Sequence, residues 1–423
     1  MRLLHVTHRF LPRYVAGTEV YAGNLVRGLA RRGHTLRLFT GDPAASAPYA
    51  ETWEGLPVTA VPWGFGGHGP VATFLAGLLN PAVERSFGLL LRDYQPEVVH
   101  FQHLLGLSPR LPALARQAGA RVVITLHDYW FVCANTWLMR WTRERCPGPG
   151  AGFYCGGCAL HRLGRNPQSL LMALAAPVFA ARTARLRGAL QAADVLIAPS
   201  RALAAAYQRQ GVQPQSLRIV AHGAPPPDAS AALAPAPWPA GPLRLVMVGS
   251  LIPAKGAHLA IEAFNSLPAG TAELTLYGDT TTDPAYVAEL RQRLQRPGAR
   301  LAGPLPHEQV MEVLRSADLL LLPSLWEEPY SLIVDEALAA GLPVLASDLG
   351  APAERIITGE TGLILPAGDV EAWRQALNRL VAAPDELSRW RQRLRATPAV
   401  PTRQTSLDQH VVEIEELYRS LRP

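Results

Sequence analysis

The chain has 423 residues, 48% of them hydrophobic and 17% charged, which excludes a disordered polymer and exceeds what one ordinary core holds. Its formal charge of +6 is uneven: residues 1–223 carry +13 and residues 224–423 carry −7. A basic front half attracts anions such as acidic lipids, phosphorylated ligands or nucleic acid.

The opening run Met1–Phe10 is too short and too interrupted for a signal peptide. No stretch approaches the ~18–20 apolar residues of a membrane span. A cytoplasmic protein is expected, with peripheral contact at the inner face of the cell membrane open to its basic half.

In chain order, Leu3–Val6 reads as a short buried strand. Glu19–Arg32 has helical spacing and stops at Gly33. Thr35–Phe39 is the next strand, followed by a loop rich in Pro and Gly. Val98–Phe101, Val122–Thr125 and Val195–Ala198 are further apolar strands. Ser200 is placed to cap a helix over Arg201–Gln210, and Arg218–Val220 follows.

Residues 224–242 break this rhythm with a run of Ala and Pro and read as a semi-rigid linker. The alternation then restarts: strands at Leu243–Val248, Glu273–Tyr277, Leu319–Leu322 and Val344–Ser347, helices at His258–Ser266, Tyr286–Leu294 and Ser331–Ala340. Strands alternating with helices imply parallel sheets covered on both faces. The expected organisation is a doubly wound α/β domain over 1–223, with a Cys-rich insertion at about 130–165. The 224–242 linker and a second doubly wound domain over 243–400 follow. Residues 401–423 supply a final helix that packs back on the first domain. Ligands are expected where strand C-terminal edges of the two domains face a cleft.

Several residue clusters could carry chemistry. Lys255 is the only lysine, against 39 arginines, and sits in the turn Gly249-Ser250-Leu251-Ile252-Pro253-Ala254-Lys255-Gly256. An ammonium is a compact point charge that fits between phosphate oxygens where a planar guanidinium is too wide. The second cluster is Trp326-Glu327-Glu328-Pro329-Tyr330-Ser331, leading into a helix that carries Glu336. Pro329 keeps Glu328 in the loop. The first N–H groups of the helix have no intrahelical partner and, with its dipole, make an anion site. Carboxylates beside such a site suit sugar hydroxyls better than phosphate. Read without context, these acids would only complement the dipole.

These elements occur together with Gly303-Pro304-Leu305-Pro306, Ala317-Asp318, Pro323-Ser324, Gly341-Leu342-Pro343-Val344 and Glu354…Gly359…Gly362-Leu363. In this order they resemble the retaining glycosyltransferases of family 4, over nearly the whole chain and most specifically from Leu243 to Leu365. The resemblance implies the two-domain GT-B fold. It implies a hexosyltransferase that moves a sugar from a nucleoside diphosphate donor, UDP or GDP, to a hydroxyl of a saccharide or lipid-linked acceptor. Cell-envelope or exopolysaccharide synthesis is the implied setting, and no metal is required for catalysis. Glu336 would hold ribose hydroxyls and Glu328 the transferred sugar. Lys255 would hold the diphosphate, with the N–H groups near Leu332 and Ile333. Two positions depart from the family pattern. Ser250 stands where an arginine is frequent, and Ala16-Gly17 where paired glycines are frequent; Gly17 still allows close approach to a phosphate. The alternatives are a non-catalytic nucleotide-sugar binder and a GT-B epimerase or hydrolase.

His127 ends an apolar strand, at the edge where open α/β sheets meet ligands, and the resemblance puts it beside the donor sugar. The plainer alternative is a loop histidine satisfied by a neighbouring carboxylate. His100 and His103 are weaker candidates of the same kind. His103 and Trp130 are assigned to the acceptor side. The aromatic and arginine residues from Tyr129 to Arg145 suit a sugar-stacking or headgroup surface. Cys133, Cys146, Cys155 and Cys158 fall within 26 residues and suit a structural zinc site. Reduced thiols, disulfides and an iron–sulfur cluster are the other readings. The acid-free segment Leu170–Arg187 reads either as a core helix or as a face for an anionic membrane. No helix-turn-helix, zinc-finger or RNA-binding pattern accompanies the basic charge, so nucleic acid is not expected.

Overall fold

A computed structural model describes residues 1–63, 70–168, 170–224, 241–396 and 405–421. The expected linker lies outside the described residues except at its ends. The chain divides into two units, Met1–Gly223 with Leu407–Pro423, and Ala224–Ser406.

The strands of the first unit are β1 (Arg2–Thr7), β2 (Thr35–Asp42), β3 (Tyr49–Trp53), β4 (Leu56–Pro62), β5 (Val98–Phe101), β6 (Arg121–Thr125), β7 (Val195–Ala198) and β8 (Leu217–Ile219). They form one sheet in the order β3-β4-β2-β1-β5-β6-β7-β8. Its neighbours run parallel except β3 and β4. β5 and β7 are buried at every position, which accounts for their unbroken apolar character. Ser200 accepts a hydrogen bond from the Leu203 N–H at 3.1 Å and starts the helix Arg201–Arg209. The final helix, Leu407–Ser420, puts Val411, Ile414 and Tyr418 into the same core as Leu25, Val26 and Leu29 of the helix Gly17–Arg31.

The second unit holds β9 (Leu243–Val248), β10 (Ala272–Tyr277), β11 (Ala299–Gly303), β12 (Leu319–Leu322), β13 (Val344–Ser347) and β14 (Gly362–Leu365). Their order is β11-β10-β9-β12-β13-β14 and every neighbouring pair is parallel. Successive side chains of β12 serve opposite faces. Leu319 and Leu321 join the core beneath the helix Ala257–Asn265, while Leu320 and Leu322 join the core beneath the helix Leu332–Ala339.

Two expectations need correction. The loop expected after Phe39 holds the rest of β2 and the β3–β4 hairpin. Glu54 (φ 49°) and Gly55 (φ 80°) turn that hairpin with both residues left-handed. The helix expected from Ser331 starts one residue later, because Ser331 itself is left-handed at φ 72°.

Candidate functional site

In the second unit the strand order reverses between β9 and β12, and at such a switch point the loops leaving the two strands part and open a crevice. Lys255 lies in the loop after β9 and Glu328 in the loop after β12. Gly256 makes this closeness possible. Its φ is +71°, and a Cβ there would sit 1.9 Å from the carbonyl oxygen of Pro323. Gly350 does the same for the second loop: its φ is +79°, and a Cβ would meet the backbone N and O of Glu328 at 2.4 and 2.3 Å.

The Lys255 Nζ donates to Glu328 Oε1 at 2.7 Å and to Oε2 at 3.0 Å. Glu328 is 2% exposed, and its Oε1 also accepts from Ser324 Oγ at 2.5 Å and Trp326 Nε1 at 2.8 Å. The ammonium stands 5.2 Å from the centroid of the Trp326 ring. A buried carboxylate with three donors is a fixed anchor. It holds the lysine head in one place while leaving the side chain partly open to solvent.

Four residues beyond Glu328 the helix Leu332–Ala339 begins, so Leu332 and Ile333 present the first N–H groups. Arg355 fixes that turn, a role the sequence analysis missed. It is 4% exposed, donates from Nη1 to Asp335 Oδ1 at 2.7 Å, and from Nη2 to the carbonyls of Tyr330 and Ser331. Its guanidinium lies 4.0 Å over the Tyr330 ring. Only its neighbour Glu354 stood out as part of a motif; the signal for Arg355 is an arginine amid buried apolar residues. Glu336 is half-buried, and burial, then the adjacent Asp335, raises its carboxyl to about 7. Ser250 is exposed at the end of β9. Asp318, from the Ala317-Asp318 motif, is fully buried and binds Arg244 at 2.9 Å and Arg391 at 2.5 Å. It ties β9 and the helix Pro384–Ala396 to the start of β12.

In the first unit the order reverses between β1 and β5. There the rings of His8 and His103 lie 4.5 Å apart. His103 accepts from the Leu105 N–H at Nδ1 (3.1 Å) and meets Asp128 through Nε2 at 3.3 Å, which sets its tautomer. His127 meets Gln102 Oε1 through Nε2 at 3.0 Å. Burial, then His103, pushes its pKa down to about 3, so it is neutral and its Nδ1 is the basic atom. Gly17 is exposed at the first position of its helix. Glu19, in the first turn of the same helix, is 1% exposed and unanticipated from sequence. Its Oε1 stands 3.5 Å from both His8 Nε2 and Arg9 Nε. Burial raises its pKa against the opposing pull of Arg9.

His100 is a core residue, bonded to the Tyr418 hydroxyl at 2.5 Å and Thr125 Oγ1 at 2.7 Å. Trp130 is 2% exposed, lies beneath the Arg182 guanidinium and packs its ring 5.2 Å from that of His103, so it backs that histidine and offers no open stacking surface. Tyr129 and Phe131 are buried with it. The four cysteines are free thiols. Burial is the largest cause that pushes Cys155 up to about 12 and Cys158 to about 11, with neighbouring thiols adding to it. Among the described residues no three His, Cys, Asp or Glu side chains are placed to hold a metal. The donor set suits zinc, but its arrangement does not.

The two doubly wound sheets, each with chemistry-bearing loops at its switch point, are the halves of the GT-B fold. The model for "Glycosyltransferase Family 4" matches residues 15–226 and that for "Glycosyl transferases group 1" matches 231–397. The chain belongs to glycosyltransferase family 4. It is 35% identical to a glycogen synthase of Mycobacterium tuberculosis over 161 residues, which cover 36% of this chain and 38% of that protein. A D-inositol 3-phosphate glycosyltransferase of Xylanimonas cellulosilytica is 24% identical over 95% of this chain and 91% of its own. Among solved structures, sucrose-phosphate synthase from Thermosynechococcus elongatus superposes with a TM-score of 0.71 at 21% identity, covering 100% of this chain and 99% of that one. HepE of Anabaena, solved with UDP-glucose, gives 0.68 at 16% identity over the whole of both chains.

Proposed function

We propose that this protein transfers a glycosyl group from a nucleoside diphosphate sugar to a hydroxyl of a saccharide or lipid-linked acceptor, with retention at the anomeric carbon. Cell-envelope or exopolysaccharide glycan synthesis is the proposed setting. The observation that carries the reading is the Lys255–Glu328 pair at the β9/β12 switch point, four residues before an open helix N-terminus. As the bond from the anomeric carbon to the leaving oxygen stretches, negative charge grows on the diphosphate. The Lys255 ammonium and the N–H groups of Leu332 and Ile333 are preorganised to receive it. That charge stabilisation makes a divalent metal unnecessary in this reading. Glu328 keeps the ammonium in place and faces the transferred sugar, and Glu336 accepts from the ribose hydroxyls. His127, neutral with a basic Nδ1, is assigned to the transferred sugar as the family resemblance implies. Retention follows from attack on the face that the diphosphate leaves, with the departing phosphate oxygen taking the acceptor proton. The match to the model for "Glycosyl transferases group 1" and the neighbour solved with UDP-glucose support a nucleotide-sugar donor.

The test is a thermal-shift screen of nucleotide sugars, then NMR of the product's anomeric signal with and without EDTA. A donor-dependent product of unchanged anomeric configuration, insensitive to EDTA, is expected. An inverted product, or a free sugar formed at full rate without acceptor, would overturn it.

A further inference from the structure

The residues described include a second feature that the transfer reading does not use. The helix Leu170–Gln191 has two faces. Ala176, Phe179, Leu186 and Leu190 are buried on one. On the other, Leu170 is 88% exposed, Leu174 73%, and Leu171 and Val178 each 47%. Leu170, Leu174 and Val178 are spaced by four, so they line one edge of the helix. Arg185, two turns beyond Val178, continues that edge and is exposed. Just before the helix, Leu163 is 64% exposed and lies between exposed Arg162 and Arg165. Scattered apolar residues on a surface are ordinary, but a row of large ones on one helix edge is not.

Charge decides what covers this row. From Arg145 to Ala193 the sequence contains six arginines and no Asp or Glu. A protein partner matched to such a stripe would need an acidic rim around an apolar strip. A bilayer with anionic headgroups supplies both over any area, with acyl chains beneath the charge. No described helix is long and apolar enough to cross a membrane. We propose that the Leu170–Val178 edge seats the protein on an anionic membrane surface, with the leucines entering the headgroup–acyl boundary and Arg162, Arg165 and Arg185 meeting the anionic lipids. This rests on the surface alone and not on the transfer reading.

The experiment is co-sedimentation of the full chain with vesicles of phosphatidylcholine, with or without about one third phosphatidylglycerol. Binding is expected with the anionic vesicles, and it should weaken with added salt. Leu170→Ser/Leu174→Ser, which changes exposed side chains and should keep the wild-type melting temperature, is expected to lower the partition coefficient at least about tenfold. Arg165→Gln/Arg185→Gln should lower it several-fold and flatten its salt dependence. Equal binding by wild type and both variants would overturn the proposal, as would absence of wild-type binding. So would light scattering that shows a dimer which Leu170→Ser/Leu174→Ser converts to monomer, since the row would then be an interface between two copies.

Discussion

Lys255 and Glu328 are 73 residues apart and form a two-pronged ion pair, with Nζ at 2.7 and 3.0 Å from the carboxylate oxygens. Each comes from a loop that follows one of two adjacent parallel strands. The ammonium is therefore oriented before any ligand arrives, and in the proposed reaction a diphosphate would share it with Glu328 without having to order it.

Lys255→Ala is expected to lower donor turnover by about a hundredfold or more, the usual scale for removing one preorganised cation from developing charge. Lys255→Arg should rescue little, because the larger planar guanidinium, which pairs readily with a carboxylate, cannot act as a compact point charge between Glu328 and phosphate oxygens. Steady-state rates with the screened donor check both. A Lys255→Ala variant within threefold of wild type would remove the lysine from the mechanism.

Nucleotide affinity should depend on pH through Glu336. Its folded pKa of about 7 lies above the ordinary value of 4.5, so it gains a proton as pH falls through 7. If the carboxylate accepts from ribose, UDP or GDP binding weakens from pH 8 to pH 6. Titration calorimetry of wild type and Glu336→Gln reads this, and the variant should show weaker binding with a flat profile. The sign reverses for stability. A raised carboxyl pKa favours the folded state below the unfolded value and costs stability as pH rises through the folded one. Glu336→Gln should therefore raise the melting temperature of the unliganded protein at pH 8.

Asp318 is the ion pair to break for a stability effect. Buried between Arg244 and Arg391, it carries a pKa below the ordinary 3.8: burial alone would raise it, and the Arg244 hydrogen bonds outweigh that. Its contribution is present above the unfolded pKa and is lost as pH falls through the folded one. Asp318→Ala should cost about 3–5 kcal/mol at pH 7, because it leaves arginines facing a vacated buried position. Urea unfolding at pH 7 and at pH 3 checks it, and the gap between wild type and variant should narrow in acid.

Ser331 holds a left-handed conformation that glycine adopts without cost. Ser331→Gly is expected to stabilise the second unit by about 1 kcal/mol. Arg355→Lys should do the opposite and also raise the KM for donor, because lysine cannot bond Asp335 and two carbonyls together. A KM unchanged in Arg355→Lys would reduce Arg355 to a packing role.

The cysteines are expected to bind less than about half an equivalent of zinc in purified protein, with four thiols titratable after unfolding. A full equivalent with no free thiol would restore the zinc reading.

The central parallel strands were legible because they are buried on both faces and so are written as uninterrupted apolar runs, as in Val98–Phe101, Val195–Ala198 and Leu319–Leu322, whereas β11, with no fully buried position, went unseen. The β3–β4 hairpin was not, because its strands alternate with solvent and β4 includes Pro57 and Pro62. Lys255, Glu328 and the helix after them were legible from chemistry and order along the chain. Their direct contact was not, since nothing local in either loop encodes the strand adjacency that joins them. Arg355 and Glu19 were invisible for a different reason. A charged residue that stabilises a backbone turn or a neighbouring ring carries no spacing of its own. Trp130 misled for the converse reason: an aromatic beside arginines looks like a surface, but the arginine lies across the ring's face within the interior.

The scarcity of lysine gives this molecule an unusual property at the bench. Apart from the α-amino group at Met1, the chain has a single primary amine, and it is the one hydrogen-bonded to Glu328. An acylating or reductive-alkylating reagent thus finds one internal target. Its rate of modification becomes a direct reporter of whether that ammonium is engaged, by the carboxylate or by a ligand that shelters it.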